Sequence, residues 1–364
     1  MSFIKNIFKR KEAPVKSYQD FWNWFKKNEK AFFNVVKKEE NIDEDFFEKI
    51  SPKLDEIKEG YFYVTGMYDD NTVELILTAD GNIKHIVFVE ELVSAAPAIA
   101  GWKFTALKPA LEIKNIAIEM SGYRFDKENI FFYSNDLPGY PDEIDVVLVH
   151  NDLDESNETQ IVSGTYIFLD NLLGELDSIT GIDNIKIVGK EAAEKELIPV
   201  VKLKDFLTWR EKEFIEKYHG TRHNTESDSY SNFEAELKNG NMLLAIINTD
   251  LLDWDGKASH PWVAVFTIQY DGTATNGMPG DSDYQLMNKI EDDMMLQLKD
   301  TDGYLNIGRQ TADGEREIYF ACNDFRKPSK VFFAAQQAYS NNFTIEFDIY
   351  KDKYWQSFNR FNNC

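Results

Sequence analysis

The sequence predicts an α+β fold in two domains, and three observations carry that reading. A chain of 364 residues exceeds what one hydrophobic core usually holds. Its last part, Ser259 to Phe361, runs strand, helix, strand, strand, helix, strand, the order of a ferredoxin-like split βαβ sandwich. The residues before it switch between two-residue and three-to-four-residue apolar periods, as a mixed sheet with helices would.

Composition bounds the rest. With 43% hydrophobic and 14% aromatic residues there is ample material for buried cores. The 63 acidic residues outnumber the 40 basic ones, for a net charge of −23 spread over both halves. Such a surface repels phosphate backbones, so nucleic acid is not an expected partner, whereas a basic protein is. Charge of this kind also serves solubility alone. Cys322 and Cys364 cannot build a disulfide framework, which points to a reducing, cytoplasmic setting. No apolar run approaches the roughly 18 residues of a membrane span. The basic N-terminal stretch, residues 1–16, is too interrupted to be a secretory signal and is expected to be a flexible end. Phe3 to Lys11 resting on an anionic membrane is the alternative.

The N-terminal domain is expected over residues 17–219. Ser17 caps a helix with Phe21, Phe25, Phe32 and Val36 on one face, widened by Trp22 and Trp24. A second helix from Asp43 uses Phe46, Phe47 and Ile50, is restarted or kinked at Pro52 and ends by Gly60. Tyr61 to Phe88 reads as a three-stranded meander, with Asp80-Gly81-Asn82 as the turn into a strand Ile83 to Phe88. A short helix through Leu92 to Ala96 and a strand at Gly101 to Ala106 complete a β-β-β-α-β half, residues 61–107. A similar half spans 115–189, with a helix Glu158 to Leu176 whose buried stripe is Val162, Tyr166, Leu169, Leu173 and Leu176. The helix Leu203 to Tyr218 closes the domain.

Residues 220–230 are polar and glycine-bearing, the best linker in the chain, and the C-terminal domain is expected over 231–364. It opens with two added strands, Phe233 to Leu237 and the interior Met242 to Asn248. Ser282 and Gln285 form a capping box for a helix that buries Met287, Ile290, Met294 and Leu298. Lys327-Pro328-Ser329 opens a second helix that packs through Val331, Ala334, Ala335 and Ala338.

The chemistry-bearing residues are few. His219 and His223 have the spacing of two metal ligands on a helix, but Gly220 between them argues that the helix has ended, and no metal is expected. His260 before Pro261 reads as a structural imidazole bonded to a loop carbonyl, since no nucleophile motif accompanies it. The Asp-x-Asp pairs at Asp253, Asp255, Asp300 and Asp302 are turn chemistry. Arg309 and Thr311 share a strand face, and Arg316 reaches them across a hairpin with Tyr319 further on. That set is either an anion clamp or a cross-strand pairing with Glu315 and Glu317. Cys322 reads as a buried small hydrophobe. Asp142 to Glu158 carries seven acids and no Lys or Arg, a solvated face or a docking patch.

The stretch Gly308-Arg309-Gln310-Thr311-Ala312-Asp313-Gly314 through Ala321 resembles a hairpin of the bacterial family called domain of unknown function 695. So do His260-Pro261-Trp262 leading into a strand and Asp352-Lys353-Tyr354-Trp355 with Phe358. The resemblance covers the C-terminal part and implies an α+β fold and a bacterial, cytoplasmic setting, with no reaction attached. Some relatives resemble fusions to a domain similar to a protein inhibitor of ribonuclease E, which implies regulation by protein binding.

The expected function is a non-catalytic module of the inhibitor or immunity type that engages another protein, a basic one by charge. His260, Trp262, Arg309, Thr311, Arg316, Tyr319 and Trp355 are its candidate binding residues, and no cofactor is called for. The alternative is an enzyme acting on an anionic small molecule through Arg309, Arg316 and His260.

Overall fold

The computed structural model describes residues 14–361, so the basic stretch Phe3 to Lys11 and Cys364 lie outside it. The chain divides into two compact units, Met1–Lys108 and Pro109–Cys364. The expected linker, 220–230, lies inside the second.

In the first unit α1 (Tyr18–Lys38) starts where Ser17 accepts a hydrogen bond from the Asp20 amide. A π-helical turn, Asp43–Phe47, leads into α2 (Glu48–Asp55). The expected break at Pro52 does not occur. Helix α2 runs through Pro52, its fifth residue, and ends at Asp55. Strands β1 (Phe62–Asp69) and β2 (Thr72–Thr78) form an antiparallel hairpin. The expected third strand of a meander, Ile83 to Phe88, is instead the start of helix α3 (Ile83–Ser94). Asn82, expected in a hairpin turn, caps that helix by accepting from the Lys84 amide at 3.2 Å. The apolar run buries Ile86, Val89 and Leu92, a helical spacing. Strand β3 (Trp102–Ala106) then pairs parallel to β2, a geometry that needs such a crossover helix. The aromatic face of α1 fills the space beneath the sheet, with Trp22 against Phe104 at 4.5 Å and Phe25 against Trp102 at 4.8 Å.

The second unit begins with a small hairpin, β4 (Ile118–Met120) and β5 (Tyr123–Phe125), and then β6 (Ile130–Asn135) and β7 (Asp145–His150). Helices α4 (Glu158–Leu173) and α5 (Glu175–Thr180) cross over to β8 (Asn184–Gly189), which lies parallel to β7. With β9 (Ile198–Pro199) these strands form a sheet of order β8-β7-β6-β9, and α6 (Leu203–Tyr218) follows. The buried stripe of α4 is rotated from the expected one. It uses Ile161, Thr165, Phe168 and Leu172 with Leu169 and Leu173, while Tyr166 is exposed. Gly164 makes this possible, because a Cβ there would stand 2.1 Å from the Phe125 ring that packs on it.

Next come β10 (Tyr230–Glu236), β11 (Met242–Asn248), the single turn α7 (Thr249–Leu252) and β12 (Trp262–Gln269). The chain continues through α8 (Asp281–Met295), β13 (Tyr304–Ala312), β14 (Glu315–Cys322), α9 (Arg326–Tyr339) and β15 (Thr344–Lys351). The sheet order is β10-β11-β13-β14-β12-β15 with every neighbour antiparallel. From β12 onward that is the connectivity of a split βαβ sandwich, lengthened at one edge by β10 and β11. The expected capping box is absent. Gly280 is the N-cap and makes no side-chain bond, and Ser282 sits exposed in the first turn of α8. The alanine stripe expected on α9 is also corrected. Ala334 and Ala338 are exposed, and Phe332 takes the buried place, 5.1 Å from Phe266 and 5.9 Å from both Phe320 and Phe347. One large ring fills a gap that several small side chains would leave. No helix among the described residues is long and apolar enough to cross a membrane.

Candidate functional site

Strand register decides which of the polar residues meet. Thr311 stands directly opposite Arg316 across the β13–β14 hairpin. Arg316 is almost wholly buried, and its Nε donates to Thr311 Oγ1 at 3.0 Å. Its Nη1 donates to Asn288 Oδ1 on α8 at 2.8 Å, and the Tyr284 ring lies over the guanidinium at 5.0 Å. Arg309, on the same face, pairs through Nη1 with Glu291 Oε2 of α8 at 2.8 Å. The expected pairing with Glu315 and Glu317 does not form. Glu317 faces the other side of the sheet, where it accepts from the Tyr319 hydroxyl at 2.7 Å and from Gln310 at 3.3 Å. Tyr319 is therefore separated from the arginines by the sheet itself. Burial and the neighbouring Arg309 charge pull the Arg316 guanidinium below its usual value, with Glu291 opposing them.

His260 and Trp262 lie at the opposite end of the sheet. Trp262 pairs with Cys322 and Ile268 with Arg316, six residues further along the strand, so Trp262, and His260 just before it, lie about 20 Å or more from Arg316. No single pocket takes both. The His260 ring is fully buried and contacts the Ser259 hydroxyl, Nδ1 to Oγ 2.8 Å, rather than a loop carbonyl. The serine hydrogen is engaged by the Gly256 carbonyl at 2.6 Å, so Nδ1 carries the imidazole proton. That leaves Nε2 a buried lone pair without a partner. Burial, then the Arg222 and His223 charges, push the ring down to about 4. Trp355 is buried beneath it, donating Nε1–H to the His260 carbonyl at 2.9 Å. His219 is exposed just past α6, while His223 Nε2 lies 2.8 Å from Asp228, so the two do not converge. Among the described residues no cluster of three metal-binding side chains forms. Cys322 is buried, and burial raises its thiol well above the usual value.

A seam that sequence reasoning missed runs through the second unit. Asp183, at the entrance to β8, accepts from both Lys351 and Lys353 at 2.7 Å. Lys353 also donates to the Asp142 carbonyl, and the Asp142 carboxylate takes Lys217 at 2.7 Å and the Tyr218 hydroxyl at 2.7 Å. The Tyr354 hydroxyl reaches the same oxygen at 2.6 Å. Burial opposes ionisation of Asp183, but the two lysines outweigh it and hold the carboxyl below the usual range. Burial, with Lys351 adding to it, brings Lys353 down to about 8. Beside this seam lies a cavity of about 330 Å³, lined by Trp262, Phe325, Leu207, Phe214, Lys351 and Lys353 among others. In the sequence Asp142 shows only as part of an acidic run, and the lysines as Lys351 at the end of β15 with Lys353 two residues past it. Their partner lies 168 residues earlier, beyond any local pattern.

The first unit offers a surface instead. Strand β1 is paired on one side only, by β2. Among the described residues no backbone group of another element bonds to its outer edge. Phe62 and Val64, alternate residues of one face, and Tyr68, at the register shift between Met67 and Asp69, are 50%, 46% and 57% exposed. The charges beside them cancel, because Lys103 pairs with Glu74 at 2.9 Å and lies over the Tyr68 ring at 3.7 Å. The strand has neither Lys nor Pro, the residues that usually guard a free edge.

Residues 231–361 match a family model described as "Family of unknown function (DUF695)". That stretch takes in the six-stranded sheet, its two helices and the Trp355 segment. No curated protein and no solved structure matches the chain.

Proposed function

We propose that the protein is a non-catalytic binding module whose first unit receives an extended segment of another protein along β1. The open edge of β1 carries this reading. Its regular stretch, Phe62 to Met67 before the register shift, spans about 20 Å, enough to add a strand, and no backbone group of another element among the described residues takes its outer N–H and C=O groups. The half-exposed Phe62, Val64 and Tyr68 supply contacts for alternate apolar side chains of the incoming strand. The occupant is apolar at every second position and flanked by Lys or Arg, since a chain of net charge −23 favours a basic partner. The rival, a catalyst built from Arg309, Arg316 and His260, is disfavoured by the separation of those residues along the sheet.

A photo-crosslinking residue placed at Phe62 or Val64 of the full chain tests the docking. Adducts at both positions with one basic protein are expected, and Val64→Lys should abolish the adduct formed from position 62. Crosslinks no more frequent than from the exposed helix position Trp209 would overturn the proposal.

A further inference from the structure

We propose that the open sheet floor beside α8 is an oxyanion site, binding a carboxylate or phosphate on Arg309 in front of the buried charge of Arg316. Two guanidinium groups share one carboxylate there, that of Glu291, and Glu291 bonds Arg309 rather than Arg316. Arg316 is satisfied only by neutral groups, the Thr311 hydroxyl, the Asn288 amide and the Tyr284 ring. One buried carboxylate does not balance two guanidinium charges, and an oxyanion supplies the second counter-charge.

The added strands give such a ligand somewhere to lie. Helices α8 and α9 contact β13, β14, β12 and β15, whereas β10 and β11 extend the sheet past them. Register puts Asn232, Ile246 and Arg309 in one row and Glu234, Leu244 and Thr311 in the next. Leu244 is 40% exposed and Asn232 is exposed, so this floor is uncovered. Arg309 keeps 22% of its side chain accessible at the border, and only Nη1 among its donors meets a carboxylate. Glu234 is exposed two strands away from Arg309, about 10 Å, too distant to neutralise it. The ligand class is therefore a small carboxylate or phosphate with an apolar body resting on Leu244 and Ile246. The site lies in a different unit from β1, so the two proposals fail independently.

Thermal unfolding of the full chain at fixed ionic strength in chloride, inorganic phosphate and succinate is the test. A saturable rise in the unfolding midpoint with phosphate or succinate is expected, and whichever acts identifies the oxyanion. Arg309→Gln should weaken it about ten-fold or more, the loss of a charge-assisted hydrogen bond, with Arg309→Lys in between. Lys238→Gln, an exposed change elsewhere, should leave it intact. General salting stabilisation is unsaturable and the same in every variant. Equal midpoints in the three salts, or an Arg309→Gln titration that matches the native chain, would overturn the proposal.

Discussion

Lys353 and Asp183 form a buried ion pair at 2.7 Å, with 5% and 8% of their side chains exposed. The pair ties the segment after β15 to the entrance of β8, and Lys351 shares the same carboxylate. Removing Asp183 leaves two desolvated lysines without the one carboxylate that both of them donate to. Asp183→Asn is expected to cost about 3–5 kcal/mol, read as a lower denaturant midpoint with an unchanged slope. Replacing Asp183, Lys351 and Lys353 together by apolar residues should recover most of that loss. A single Asp183→Asn variant as stable as the native chain would contradict the account.

The pH response of Lys353 has a definite sign. Its ammonium is brought down to about 8, while the unfolded chain titrates near the ordinary lysine value of about 10.4. Between those values the unfolded state holds a proton that the native state lacks, so this group adds stability as the pH rises. Stability measured from pH 8 to 10 should show a positive contribution that Lys353→Met removes. An identical slope in the two proteins would refute it.

His260 acts in the acid range. Its folded value of about 4 lies below the ordinary value near 6.5, so its contribution is present above that ordinary value and is lost as the pH falls toward 4. The depression corresponds to about 3 kcal/mol across that window. His260→Gln, which cannot charge, should flatten the stability curve between pH 6.5 and 4. The prediction fails if the native and variant curves run parallel there.

Gly308 marks the bulge in β13 and has φ of +134°. A Cβ at that position would stand 2.1 Å from the Ile246 carbonyl oxygen of β11. Gly308→Ala therefore combines a backbone conformation closed to side chains with a clash against a neighbouring strand. A loss of about 3 kcal/mol or more is expected, with faster amide exchange in β10 and β11 than in β15. Uniform exchange across the sheet would show that the bulge does not anchor the added strands.

Where a local signal was strong, the sequence was enough to read the fold. The alternating strands and hairpin of residues 259–361 and the aromatic face of α1 needed only nearest neighbours along the chain to be legible. Ile83 to Phe88 shows the limit. Its β-branched residues suit a strand as well as a helix, and the parallel pairing of β2 with β3 decided for a helix. The rotated stripe of α4 and the buried Phe332 depended on which ring or gap faced them across the core.

The candidate sites divide the same way. The face shared by Arg309, Thr311 and Arg316 follows from the two-residue period of a strand. That Arg309 finds Glu291, that Tyr319 and Glu317 face away, and that His260 lies about 20 Å or more from Arg316 are consequences of register and helix placement.

By itself the sequence determined the α+β class, the net charge of −23 and most of the strands and helices, because these rest on composition and short periods. Only the tertiary structure decided that Lys351 and Lys353 share Asp183, that Arg316 bonds Thr311 and Asn288 while Glu291 goes to Arg309, and that β1 meets only β2 among the strands of the described residues. Those facts depend on groups far apart in the chain being brought within a few ångströms of one another, and no local pattern encodes that distance.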